Sequence, residues 1–433
     1  EKLSSIISGR TLAPDFGIFD NEEAITGLGA ALFFEEILET YPKARIVITV
    51  RDVESWYADV QQFVKEEVIP KLLNPCQSVS CYQENTVLEK VYHSFFGNTT
   101  AHSYLWKMKY AEYYDRVINT VPRSRRKLVD FYSKDTPKTN PFHWLGRFIT
   151  DEPRFSLSEN TEWKAPQLPL NPRYTSTASD PTLSNVPDAM ATLHKLKYSI
   201  MEEFSNYGHL KIIGVGLEHT GEIALASALK KLGYSVVRNW KEEMRHITCK
   251  KGNIPCYMGR NLRKVIVGAD DTPNFGFEGV FHGVDAIVGA PACLFFSDIL
   301  KSNPDVKVIL TVKDLNLWWR RMKCEYSKKQ GHFVDMSIVP NLSGAPTKVS
   351  SSQTHIIISN ILSYGSVEPK EYMYKRKYKE HVERVLREVP KERLLIFDVD
   401  ETDAYNKLCK FTRSTLCNSK LISSSFPTEH TVC

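Results

Sequence analysis

The sequence predicts a doubly wound α/β fold, a parallel sheet covered on both faces by helices. Three observations lead there. Short runs rich in Val and Ile, such as "ARIVITV", "KIIGVG" and "RLLIFDV", alternate with stretches of helical period. The run "KIIGVG" leads through a glycine turn into a helix-like segment, "GEIALASALKKLG". The same order of segments occurs twice along the chain.

The elements of the first copy follow in order. "ALFFEEILETY" (31–41) has the period of a helix. "ARIVITV" (44–50) has the composition of a strand buried on both sides. A helix is expected from Val53, with Trp56, Val60, Phe63 and Val64 on one side and Asp52 as its cap. "KYAEYYDRVINTVP" (109–122) closes the copy. "KAPQLPLNPRYTSTASDPTLSNVPD" (164–188) lacks periodic apolar positions and is read as linker. Met190 to Tyr207 then carries Leu193, Leu196, Ile200 and Phe204 at helical spacing. In the second copy "KIIGVG" is a strand and Gly233 stops the helix that follows it. "YKEHVERVLREVP" (378–390) is a helix and "RLLIFDV" (393–399) a strand.

The repeat is gapless from Gly17/Gly279 to Trp56/Trp318, with Phe33/Phe295, Pro42/Pro304, Thr49/Thr311 and Asp52/Asp314 identical. A second register matches 109–122 with 377–390, and "LGRF" (145–148) answers "LCKF" (408–411). The first register places the first copy's glycine turn ahead of Glu1. The expected organisation is a first unit over 1–160 lacking its turn, a linker over 161–189, and a second unit over 190–433. Ligands in such folds sit at the carboxyl ends of the strands. The stretches 70–100 and 325–370 carry no interpretable motif and read as acceptor-binding loops.

Composition narrows the function. The chain has 433 residues and a net charge of +5, which fits an anionic small-molecule or nucleotide ligand and gives no ground for nucleic acid. The densest basic run, "RSRRK" (123–127), reads as a solvated patch. No stretch approaches the length of a membrane span. Nine cysteines without a CxxC pair read as reduced thiols, which leans toward the cytoplasm.

The glycine turn fails two familiar templates. Gly216 and Gly221 have nucleotide-triphosphate spacing, but Glu222 and Ile223 stand where Lys and a hydroxyl would hold phosphate and Mg²⁺. As a dinucleotide fingerprint its third glycine comes too late.

A third template fits better. The segment Gly214-Val215-Gly216-Leu217-Glu218-His219-Thr220-Gly221-Glu222-Ile223-Ala224-Leu225, with "VDAIVGAPACLFFSDILKSNPDVKVILTVKDLNLWW" and "LLIFDVDETDAYNKLCKF", resembles the P-loop sulfotransferases. Residues 17–160 and 211–430 carry the likeness. It implies sulfuryl transfer from 3′-phosphoadenosine 5′-phosphosulfate to a hydroxyl or amine, without a metal. It also implies that Gly216, His219, Thr220 and Gly221 cradle the 5′-phosphosulfate. Lys313 and Arg321, with Arg51 in the first copy, fall where the family grips the 3′-phosphate. The departures are chemical. His219 replaces a permanent cation, Glu222 a hydroxyl and Ala224 a serine, and Gly289 and Gly27 replace a candidate basic aspartate. A carboxylate about 5 Å from a phosphate costs about 3 kcal/mol at an effective dielectric of about 20. Two readings stay open: a sulfotransferase of reduced activity, or an inactive binding module on the same fold.

Overall fold

The computed structural model describes residues 2–7, 14–73, 78–97, 103–129, 148, 210–238, 262, 264–266, 273–276, 279–281, 284–329, 357–358, 361–362, 369–417 and 425–427. The expected linker, the helix expected over 190–207 and most of the stretch 325–370 lie outside the described residues. The elements are α1 (Lys2–Ile7), α2 (Leu28–Leu32), α3 (Phe34–Thr40), β1 (Ile46–Thr49), α4 (Val53–Phe63), α5 (Ile69–Leu73), α6 (Val79–Phe96), α7 (Ser103–Thr120) and β2 (Arg126–Val129). After these come β3 (Ile212–Gly214), α8 (Glu222–Lys231), β4 (Val236–Arg238), β5 (Ala286–Val288) and α9 (Ala290–Ser302). The last are β6 (Lys307–Thr311), α10 (Leu315–Lys329), α11 (Glu371–Glu388), β7 (Leu394–Phe397) and α12 (Ala404–Thr412).

The chain divides into two compact units, one of residues 1–32, 59–109 and 199–433, the other of 33–58 and 110–198. The first holds a five-stranded sheet in the order β4-β5-β3-β6-β7, with every pairing parallel. The chain leaves β3 on one side toward β4 and β5 and returns to the other side for β6 and β7. The order therefore reverses at β3, and a crevice opens beyond its carboxyl end. Ile212 and Ile213 are almost wholly buried, as a central strand covered on both faces requires. On one face α8 and α12 pack Leu225, Leu229, Tyr405 and Leu408 against Ile212, Val288, Ile309 and Phe397. α9 is buried along most of its length, from Ala290 to Phe296 and at Ile299, which explains why its sequence is apolar nearly all round.

The second unit holds β1 paired in parallel with β2. Its core joins Phe34, Ile48, Val50 and Val53 to Tyr110, Tyr114 and Val117. The expected helix over 31–41 is broken at Phe33, whose φ of −112° and ψ of 25° leave the helical region.

The local geometry of this unit recurs in the other at the repeat's own registers. Ile46 faces Arg126 as Val308 faces Leu394. The Tyr110 hydroxyl donates to the Arg51 carbonyl at 2.9 Å and accepts from the Arg51 N–H at 3.1 Å; Tyr378 does the same for Lys313 at 2.7 and 2.9 Å. Arg125 donates to the carbonyls of Ala44 and Tyr41, and Arg393 to those of Val306 and Asn303. Arg116 lies over the Phe34 ring and Arg384 over the Phe296 ring. Asp52 and Asp314 each accept from a backbone N–H of the helix they precede, as expected of caps.

Three expectations need correction. The basic run 123–127 is a solvated patch only in part: Arg123, Ser124 and Lys127 are exposed, whereas Arg125 and Arg126 spend guanidinium donors on backbone carbonyls. The stretch 70–100 is not all loop, since α6 fills Val79–Phe96 between the Ser78 cap and Gly97. The thiols are not all reduced. Cys409 and Cys417 form a disulfide, Cys81 and Cys324 are also disulfide-bonded, and among the described residues Cys293 is the free cysteine.

Candidate functional site

The site is built outward from the end of β3. The chain turns over Val215–Gly221 and enters α8 at Glu222. Two glycines are dictated by geometry. A Cβ on Gly216 would stand 1.7 Å from the Thr311 hydroxyl, so the turn can lie against the end of β6 only without a side chain there. Gly221 has φ of +115° and would press a Cβ into Val399, two residues beyond β7. His219 also has a left-handed φ, of 66°.

The turn's carbonyls are held from the protein side. Val215 O accepts from the Cys293 thiol and from His381 Nε2 at 2.6 Å, and Gly216 O accepts from the same thiol. Leu217 O accepts from the Thr220 hydroxyl and Glu218 O from the Trp318 indole, at 2.7 and 2.8 Å. Burial pushes His381 down to about 4, with Lys377, Arg384 and Lys109 acting in the same direction, so at neutral pH it is a neutral donor. With the carbonyls held, the opposite edge of the turn is a row of N–H groups. Among the described residues those of Gly216, Leu217, Glu218 and Gly221 meet no acceptor. Such a row, leading into a helix N-terminus, is a cradle for an anion.

The structure brings Gly216, His219, Thr220 and Gly221 into this turn. Thr220 is buried, and its hydroxyl is committed to Leu217 O and to Thr311 Oγ1, 2.7 Å away. It braces the turn against β6. Lys313 stands two residues beyond Thr311, its side chain buried, with Nζ 2.7 Å from Asp400 Oδ2. The contact lacks hydrogen-bond alignment and is an ion pair. Arg321 lies two turns further along α10. Arg51 belongs to the second unit and follows β1 as Lys313 follows β6.

An acid is buried where the turn enters α8. Glu222 is buried at the first position of α8, and its Cγ lies 3.9 Å from where a Cβ on Gly289 would be. Gly289 precedes α9, so the Glu222 side chain leans over the start of that helix. The Cys293 thiol is held well above the usual range, first by burial and then by the charges of Glu222 and Glu218. The negative field therefore reaches the turn itself.

Sequence reasoning missed three of these residues. His381 and Trp318 grip turn carbonyls from far along the chain, where no sequence spacing points to them. Trp318 does pack, on Tyr378 at 4.8 Å. Asp400 was passed over because an acid beyond a strand has no signature of its own. Glu242, a polar residue without a readable partner in the sequence, lies outside the described residues. Among the described residues no cluster of His, Cys, Asp and Glu could hold a metal, and no helix is long and apolar enough to cross a membrane.

The family model for the sulfotransferase domain matches residues 15–137 and 211–428. No curated protein matches the chain.

Proposed function

The chain belongs to the sulfotransferase-domain family, and from that premise we propose that it binds a phosphosulfate nucleotide at the glycine turn, with weakened sulfuryl transfer. The donor is 3′-phosphoadenosine 5′-phosphosulfate and the acceptor a hydroxyl or amine. One observation carries the reading: the N–H groups of Gly216, Leu217, Glu218 and Gly221 stand open at the reversal of strand order. In the reaction the acceptor oxygen or nitrogen bonds to sulfur and gives up its proton to water while the bridging S–O bond breaks, and charge builds on the departing phosphate. The turn amides receive that charge, with His219 beside them. Lys313 and Arg321 stand where the nucleotide's other phosphate would lie, and Arg51 holds the matching position in the first copy. Thr220 and Gly221 keep the cradle's shape.

The sequence is read as two tandem copies, 1–160 and 190–433, joined by 161–189. The matching pairing registers and the Tyr110/Tyr378 clamps support this. The disulfides favour maturation in an oxidising compartment over the cytoplasm.

A second reading, a binding module without turnover, is favoured by Glu222 at the cradle and Asp400 on Lys313. Donor labelled in its sulfate separates the two. Transfer of label to a hydroxyl or amine acceptor supports the enzyme; stoichiometric binding with the donor intact supports the module. Neither binding nor transfer would defeat both.

A further inference from the structure

We propose that Asp400 sets the ligand preference of this site, acting as an internal anion that competes with a nucleotide's 3′-phosphate for Lys313. The inference rests on the reading of the glycine turn as the nucleotide cradle.

Strand geometry puts the pair at the cradle's rim. β6 and β7 are neighbours in the sheet. Thr311, the last residue of β6, touches the turn at Thr220, and Val399, just beyond β7, abuts Gly221. The residues that follow along the two strands, Lys313 and Asp400, therefore flank the turn together. Lys313 is fixed there. Its N–H and carbonyl are both bound by the Tyr378 hydroxyl, and its side chain is 4% exposed.

The two partners are unequal. The Asp400 side chain is 57% exposed. A buried ammonium requires a counter-charge, and losing one is costly. Asp400 can instead turn out into water, where a carboxylate is well solvated. A ligand phosphate arriving at Lys313 would displace a carboxylate already in place. The attraction it gains is offset by the ion pair it breaks and by repulsion from the released acid. A ligand without that phosphate leaves the pair intact. The site thus draws little advantage from a 3′-phosphate, although it holds the cation that would bind one.

Calorimetric titration of the full chain with adenosine 5′-monophosphate and adenosine 3′,5′-bisphosphate tests this. The unaltered chain should bind the two within roughly twofold of each other. Asp400→Asn, which keeps an oxygen on the buried ammonium, should tighten the bisphosphate roughly tenfold and leave the monophosphate unchanged. Adding Lys313→Met should erase that gain, and Asp400→Glu should behave as the unaltered chain does. If the unaltered chain already prefers the bisphosphate tenfold and Asp400→Asn changes nothing, Asp400 is no determinant, while the cradle reading stands. If no variant binds either nucleotide, the cradle reading itself fails and this inference with it.

Discussion

His381 illustrates how a single buried side chain ties pH to the integrity of the turn. Its ring donates to Val215 O and is pushed by burial from the usual 6.5 to about 4. The unfolded chain takes up that proton below pH 6.5 and the folded chain only near pH 4. Stability is therefore unaffected above pH 6.5 and falls as pH drops from 6.5 to 4, by about 2 kcal/mol at pH 5. His93 is lowered to about 4 as well and adds to the same window. Urea unfolding at pH 7.5 and pH 5 should give a lower midpoint in acid, with a smaller difference in His381→Gln. Equal differences in both proteins would remove His381 from the account. None of this was legible in the sequence, because the carbonyl that His381 serves is 166 residues away. The caps at Asp52 and Asp314 were legible because their partners lie within three residues.

At the scale of elements, α12 shows how a short helix is held from both sides. It packs on α8, the helix that begins at the cradle, and its carboxyl end is closed by the Cys409–Cys417 disulfide. Between the two cysteines the Ser414 hydroxyl donates to Leu232 O, and Leu416 abuts Gly233, at the far end of α8. Cys409→Ser should therefore lower stability by about 2–3 kcal/mol, from the short loop that the bond closes. Thermal melting would check it, and an unchanged midpoint would show that packing alone fixes α12. Strands and helices with clear periodicity were readable: β1, β3 and β7, and the helices that follow β1 and β3, fall where the sequence put them, whereas α12 after β7 was not foreseen. The roles of Arg125 and Arg126 were not readable. A basic run looks the same whether its donors meet water or carbonyls, and only the fold brings Ala44 and Tyr41 under Arg125. The cysteines failed for a related reason, since Cys409 and Cys417 share no recognisable motif.

For the molecule as a whole, the repeat was the most informative signal. It joined residues 17–56 to 279–318, and the structure gives the two segments the same strand register and the same tyrosine clamp. Family membership follows from matches over both segments. What sequence could supply for the site was its backbone: glycine spacing and a position at a strand's end. What it could not supply was the direction of its charges. Glu222 leans over Gly289, and Asp400 occupies Lys313. The proposed anion cradle thus has one acid at the start of α8 and another on the nearest lysine.

The most direct test of that balance is a calorimetric titration of adenosine 3′,5′-bisphosphate into the chain and into Glu222→Thr. Removing the carboxylate should tighten binding by up to about a hundredfold, the factor that corresponds to about 3 kcal/mol at roughly 5 Å. Equal affinities in the two proteins would contradict the account, for they would mean that the acid at the start of α8 does not govern what the turn can hold.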